Sequence, residues 1–248
     1  MIDGRLEQIV AIGNWVDQHT AEFIEILTQF ENVEAAKDEI ARSSRTLKQV
    51  GKEKEYLEGS LQLELLAVFQ PSNIPLYSYV LYGIIPGVVF NEVHIKSSIK
   101  IKKVAQEVHD FIHRSFPLNI DLQYRSHRSF SHDTLSRADV AIHTGSYDNA
   151  LWLEEHLNPD QLFIFYGSGV NPFIVGRHAD ITKAVRSSLE NRLFNSGQDC
   201  YCSNIFFVHE NVFDRYLDEL GKQLSRVVVG DRTEPGAIVN PLYYNLED

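Results

Sequence analysis

The pattern that most constrains this chain begins at Leu63, where short apolar runs start to alternate with longer amphipathic ones. Residues 63–69 are mostly apolar and bounded by Pro71, as a buried strand would be. Residues 93–95, 120–124, 140–143, 162–166 and 205–208 read as further strands, with 227–229 as a last short one. Between or after them, 100–115, 147–156, 180–193 and 211–224 read as helices. Strands alternating with helices at this spacing predict an α/β fold, a mostly parallel sheet with helices on both faces. Such a sheet takes its ligands beyond the carboxyl ends of its strands.

Ahead of the alternation, residues 5–52 read as helix. Leu6, Ile9, Ile12 and Val16 recur at helical spacing, as do Phe23, Ile26, Leu27 and Phe30, which predicts a packed helical pair. Residues 52–59 are polar and read as a loop. The longest apolar run, 77–90, is short for a membrane span and holds Pro86 and two glycines, so it reads as buried core. With 44% hydrophobic residues in 248, the chain can build a core and is not a disordered one. A formal net charge of -11 repels phosphate backbones and argues against a general nucleic-acid binder. The two cysteines, Cys200 and Cys202, are too few and too close for a disulfide framework. No secretory signal pattern follows Met1, and the expectation is a cytoplasmic protein without a membrane span. The ten histidines show no zinc-ligand spacing, and no metal is expected.

Four short segments carry the chemistry: Pro71-Ser72-Asn73-Ile74-Pro75-Leu76, Asn91-Glu92-Val93-His94-Ile95-Lys96-Ser97-Ser98, Thr144-Gly145-Ser146, and Phe194-Asn195-Ser196-Gly197-Gln198-Asp199-Cys200. Between the last two lie Gly167-Ser168-Gly169-Val170-Asn171-Pro172, Ala179-Asp180 and Ala184-Val185. Each is weak alone. In this order and spacing they resemble the aldehyde dehydrogenase superfamily, from the N-terminal helices to Gly230-Asp231 and Pro241-Leu242. The resemblance implies a Rossmann-type cofactor sheet over 61–190, packed with an N-terminal helical segment over 1–60. It also implies the start of a second α/β domain, the catalytic one, over 191–248. Family members are usually longer at both ends, so the resemblance implies a truncated member.

By the family's pattern Cys200 is the nucleophile, whose thiolate attacks a carbonyl and passes through a thioester. Asn73 matches the side-chain donor that stabilises the oxyanion. Lys96 matches the residue that reaches the adenosine ribose, and Ser146 the pyrophosphate contact at a helix start. Ser72 and Gly145 flank these positions and belong to the same cofactor set. Read from the residues alone, Lys96 is equally a solvated strand-end charge, Ser146 a plain helix N-cap, and Cys202 a packing residue. His143 stands where the family often has an apolar residue, and reads as a hydrogen-bonded structural histidine or a lining of the crevice.

Two departures shape the expected activity. Tyr166 stands where hydrolytic members carry a Glu that activates water, and a phenol is a poor base near neutral pH. Here the chain resembles the acylating and fatty acyl-CoA reductase branches. After Lys96, the acidic residue common in NAD-preferring members is replaced by Ile99, with Lys100, Lys102 and Lys103 nearby. That surround tolerates a 2′-phosphate, so the cofactor expectation is NAD or NADP. The activity implied is an NAD(P)-dependent oxidoreductase acting on an aldehyde or acyl thioester through Cys200. The alternatives are a catalytically impaired relative that binds nucleotide or a partner protein, and one half of a split enzyme. The partner expectations are a homo-oligomer or a complementary second chain.

Overall fold

The computed structural model describes residues 2–57, 59, 62–167, 169–234 and 236–242. Contacts divide the chain into two compact units, one of residues 1–29 with 36–168 and one of 30–35 with 169–248. The division at 168/169 gathers residues 169–190 with those that follow them.

The first unit opens with helices. α1 (Ile2–Gln18) buries Leu6, Ile9, Ile12 and Val16, the stripe expected of it. Instead of one pair, the segment makes α1, α2 (Thr20–Leu27) and α3 (Val33–Gln49), then a single turn, α4 (Lys54–Leu57), in the stretch expected to be loop. α1 and α3 approach closely at Gly13. A Cβ there would meet Lys48 Cγ at 2.9 Å and the Lys48 amide nitrogen at 3.1 Å, and the Gly13 carbonyl accepts from Ser44 Oγ at 3.1 Å. Glycine is what lets the two backbones meet.

Five parallel strands follow: β1 (Leu63–Phe69), β2 (Phe90–Lys96), β3 (Ile120–Gln123), β4 (Val140–Gly145) and β5 (Leu162–Gly167). Their spatial order is β3-β2-β1-β4-β5, so the chain winds outward from β1 to one side and then returns to the other. This reversal creates a switch point between the carboxyl ends of β1 and β4. The crossovers are α5 (Pro75–Tyr79), which runs into a wide turn over Val80–Ile84, α6 (Lys102–Ser115), α7 (His127–Asp133) and α8 (Tyr147–Glu154). β1 is buried from Leu65 to Phe69, as a central parallel strand must be. On one face Leu65, Ala67, Phe69 and Ala141 pack with Phe130, Leu135, Ala138 and Leu153.

The second unit holds a two-stranded parallel sheet, β6 (Pro172–Val175) and β7 (Ile205–Val208), with α9 (Ile181–Leu193) and α10 (Glu210–Leu224). Val175, Ile181, Val185, Val212 and Tyr216 make its core. Asp180 caps α9 by accepting from the Lys183 amide at 3.1 Å. Asn32 caps α3, accepting from the Ala35 amide at 2.8 Å while its Nδ2 donates to Asn240 Oδ1 at 2.9 Å. Among the described residues, 227–229, expected as a strand, make one bridge, Val229 with Val239.

Candidate functional site

The sheet register builds the first unit's site. Gln123, Lys96, Phe69, His143 and Phe165 pair side by side across β3, β2, β1, β4 and β5. Neighbours in register on parallel strands project to the same face, so these five side chains form one row at the carboxyl edge. His143 stacks on Phe165 with centroids 5.7 Å apart and planes 9° apart, and meets Phe69 edge-on at 5.7 Å. His127, the first residue of α7, lies over Phe69 at 5.2 Å and 6.4 Å from the His143 ring.

Two residues beyond the row come Gly145 and Gly167, themselves paired in register. A Cβ at Gly145 would lie 2.9 Å from His143 Cε1, and one at Gly167 2.9 Å from the Phe165 ring. Both strands therefore leave the sheet with a bare face above the row. Ser146 then caps α8, its Oγ accepting from the Asn149 amide at 3.3 Å. Its hydroxyl thus does what an ordinary N-cap does, beside the free amides of a helix start.

Lys96 is half-buried, and its Nζ donates a long 3.5 Å bond to the Ser97 carbonyl. Burial pushes its pKa down. His143 is 2% exposed, and neither ring nitrogen has a hydrogen-bond partner among the described residues. Burial holds this imidazole below its usual range, the Ser146 backbone beside the ring opposes that, and the Lys96 charge adds to the shift. Burial pushes His127 down to about 4, helped by Lys96 and then His143. A desolvated site beside a cation leaves both imidazoles neutral at physiological pH.

Ser72 and Asn73 form the bend between β1 and α5 and are half-buried. Polar groups under α5 hold its start. Gln70 Nε2 donates to the Pro75 carbonyl at 3.1 Å and to Ser78 Oγ at 2.8 Å, and the fully buried Glu39 accepts from the Tyr77 amide at 2.7 Å. Ser72, Asn73, Lys96, Gly145 and Ser146 thus come together at the carboxyl ends of β1, β2 and β4 within one unit. Lys100, Lys102 and Lys103 are exposed. Lys102 lies over the Tyr124 ring and Lys103 pairs with Glu107 at 3.9 Å, so these two cations are engaged along α6. Tyr166, at the expected base position, is exposed and contacts the Tyr82 ring at 5.7 Å. Ser168 of the neighbouring loop lies outside the described residues.

Cys200 belongs to the second unit. The backbone before it is left-handed at three successive residues, Asn195 (φ 46), Ser196 (φ 58) and Gly197 (φ 78). Only glycine adopts this region freely. Asn195 and Ser196 are held there by context, Asn195 by burial and Ser196 because its Oγ accepts from the Asn240 amide at 2.9 Å. Two asparagines pin the turn that follows. Asn171 Nδ2 donates to the carbonyls of Cys200 (2.7 Å) and Cys202 (3.2 Å), and Asn191 Nδ2 donates to that of Tyr201 (3.2 Å).

The turn presents Cys200 at the surface and buries Cys202, whose Sγ donates to the Phe194 carbonyl at 3.7 Å. The Cys200 thiol is nonetheless pushed up, first by partial shelter and then by the adjoining Asp199 carboxylate. Asp199 is 7% exposed, and its Oδ2 has no hydrogen-bond partner among the described residues. Asp199→Asn removes the opposing charge while keeping an oxygen for the Tyr201 amide. Alkylation of Cys200 by iodoacetamide at pH 7.5 should then speed up by roughly three- to tenfold. An unchanged or slower rate would show that Asp199 does not govern the thiol.

A cavity of about 680 Å³ in the second unit is lined by α9 and α10 residues such as Arg186, Leu189, Glu219 and Gln223; neither cysteine lines it. Among the described residues no group of three His, Cys, Asp or Glu is placed to hold a metal ion, and no helix is long and apolar enough to cross a membrane.

The model of the aldehyde dehydrogenase family matches residues 157–245. Succinate-semialdehyde dehydrogenase (NADP(+)) 1 of Mycobacterium ulcerans is 39% identical over 74 residues, 30% of this chain and 16% of that protein. The succinate-semialdehyde dehydrogenase (NADP(+)) of Escherichia coli is 35% identical over 100 residues, 40% of this chain and 21% of that protein. Among solved structures, an NADP-dependent enzyme of E. coli superposes with a TM-score of 0.89 at 20% identity, covering 98% of this chain and 55% of that one. Succinic semialdehyde dehydrogenase of Streptococcus pyogenes, in complex with NADP+, gives 0.88 at 20% identity, covering 98% and 58%. The chain spans little more than half the length of these solved relatives. The sequence match to the aldehyde dehydrogenase family thus covers residues 157–245, and the fold of these solved structures extends along nearly the whole chain.

Proposed function

We propose that this chain is part of an NAD(P)-dependent oxidoreductase that binds its dinucleotide at the carboxyl edge of the five-stranded sheet and uses Cys200 as nucleophile toward an aldehyde or acyl thioester. The observation that carries the cofactor half is the switch point. The connections that leave β1 and β4 run to opposite sides there, and Lys96, Gly145 and Ser146 all stand at that edge. The residues present fit the group. The bare face at Gly145 and Gly167 admits a flat polyanion, Ser146 opens α8 with its helix amides, and Lys96 supplies a cation for the ribose side. The relatives named for NADP support the same reading.

When bound, the nicotinamide accepts or returns a hydride. The protein supplies the rest of the chemistry. The Cys200 sulfur adds to the carbonyl carbon, and the Asn73 amide is the donor for the oxygen that becomes anionic. Tyr166, in place of a carboxylate base, favours release of the acyl group to a thiol over release to water.

A second reading keeps nucleotide binding without catalysis. The sheltered Cys200 thiol beside the Asp199 carboxylate favours it, because an activated cysteine stands in an electropositive setting.

Calorimetry with NAD and NADP on the purified chain tests the cofactor half. At least one should bind, and Lys96→Ala should weaken it by about tenfold or more. No binding of either at millimolar concentration would overturn the proposal.

A further inference from the structure

The turn that carries both cysteines is shaped by a side chain from the helix before it. Asn191 lies in the last turn of α9. Asparagine is a poor helix former, because its amide competes with the backbone for hydrogen bonds. Here that amide is engaged outside the helix. Its Nδ2 donates to the Tyr201 carbonyl at 3.2 Å, and its Oδ1 accepts from the Ser203 amide at 2.7 Å and from Ser203 Oγ at 2.6 Å. The two backbone groups it holds stand on either side of Cys202. A planar amide that donates to one and accepts from the other acts as a neighbouring strand does in a ladder, and it fixes the direction of the side chain between them. That direction is inward. Cys202 is buried with its Sγ donating to the Phe194 carbonyl, while Cys200 is exposed. Asn171 holds the carbonyls of Cys200 and Cys202 both, so it braces the turn without distinguishing the two thiols.

We propose that Asn191 is a positioning residue that decides which of the two thiols the turn presents, keeping Cys202 inward so that Cys200 alone meets an electrophile. This rests on the reading of Cys200 as nucleophile and deepens it. Two thiols separated by one residue have the same intrinsic chemistry, so the choice between them is made by exposure. Turning Cys202 outward requires the Tyr201 carbonyl and the Ser203 amide to leave Asn191. Ser203 is itself buried, so water does not readily replace Asn191 there, and a buried backbone group without a partner is costly.

The test uses iodoacetamide on the folded full chain, with tandem mass spectrometry to locate the label on each thiol. Wild type should be alkylated at Cys200 at least about tenfold faster than at Cys202. Asn191→Ala should cut that ratio by about fivefold or more, through faster labelling of Cys202. The faster labelling should be insensitive to low urea, because only the turn opens. A Cys202 rate that climbs steeply with urea would mark opening of the whole fold and overturn the proposal. Where the alanine variant fails to fold, Asn191→Asp decides. It keeps the acceptor for Ser203, loses the donor to Tyr201, and should still cut the ratio by about twofold or more. An unchanged ratio in the folded variant would make Asn191 an ordinary helix-end residue and overturn the assignment. Equal rates at the two thiols of wild type would overturn it too, with the nucleophile reading left intact. Failure of that reading shows separately, as turnover that survives Cys200→Ala.

Discussion

Replacing Phe130 with alanine should destabilise the chain by about 3–5 kcal/mol in urea denaturation, the loss expected for a fully buried phenylalanine. Phe130 is 0% exposed and meets Phe69 edge-on at 5.0 Å, with Leu135, Ala138 and Leu153 around it. It is also the side chain that ties α7 to the sheet. The rest of that short helix is Ser, His, Arg and Asp, with only Ser131 also buried. The cavity therefore forms between α7 and the row of Lys96, Phe69 and His143. His127 should lose its fixed position along with the packing. Phe130→Leu, which fills most of the space, should cost less than about 1.5 kcal/mol. A loss below about 1 kcal/mol for the alanine variant would mean that α7 is not held by this contact.

The same helix shows where sequence reading reaches its limit. The five strands of the first sheet were legible because a parallel sheet covered on both faces demands near-continuous apolar runs, and 63–69 is such a run. Ser72, Asn73, Lys96, Gly145 and Ser146 were legible as a set only through the resemblance to the family, since each alone reads as a turn residue, a strand-end charge or a plain N-cap. α7 was not, since one buried phenylalanine among polar residues has no periodicity to detect. Its capping serine, Ser126, accepting from the Ser129 amide at 3.2 Å, was the one local signal available.

β6 was hidden by its own beginning, because Gly169, Asn171 and Pro172 read as loop and only four residues follow the strand pattern. The opposite error fell on residues 227–229. Three valines in sequence carry strand propensity, but Val228 and Val229 are exposed, so the run lacks the burial that would extend a strand. The N-terminal segment read as continuous helix because its apolar stripe survives the breaks at His19 and Asn32, and only the Asn32 cap marks a new start. The lysines after Lys96 drew attention as phosphate readers because charge is visible in a sequence. The convergence of His127 on Phe69 exists only once β1, β2 and β4 lie side by side.

The nucleophile carries the other large effect. With any aldehyde or acyl thioester that the full chain turns over, Cys200→Ala should lower the rate by at least about a thousandfold, since the other thiol of that turn, Cys202, is buried. Cys202→Ala should leave it within about threefold, because its thiol is buried and its Sγ faces the Phe194 carbonyl. The sign of the pH dependence follows from the raised Cys200 thiol. The attacking form is the deprotonated one, so the rate rises with pH throughout the neutral range and levels off only above the ordinary thiol range. Asp199→Asn should move that plateau to lower pH, in step with its faster alkylation. Turnover that survives Cys200→Ala would remove the covalent mechanism. Turnover lost in Cys200→Ala but independent of pH from 6 to 9 would mean instead that a bound substrate or cofactor reverses the environment Asp199 creates. The thiolate would then be made only in the complex.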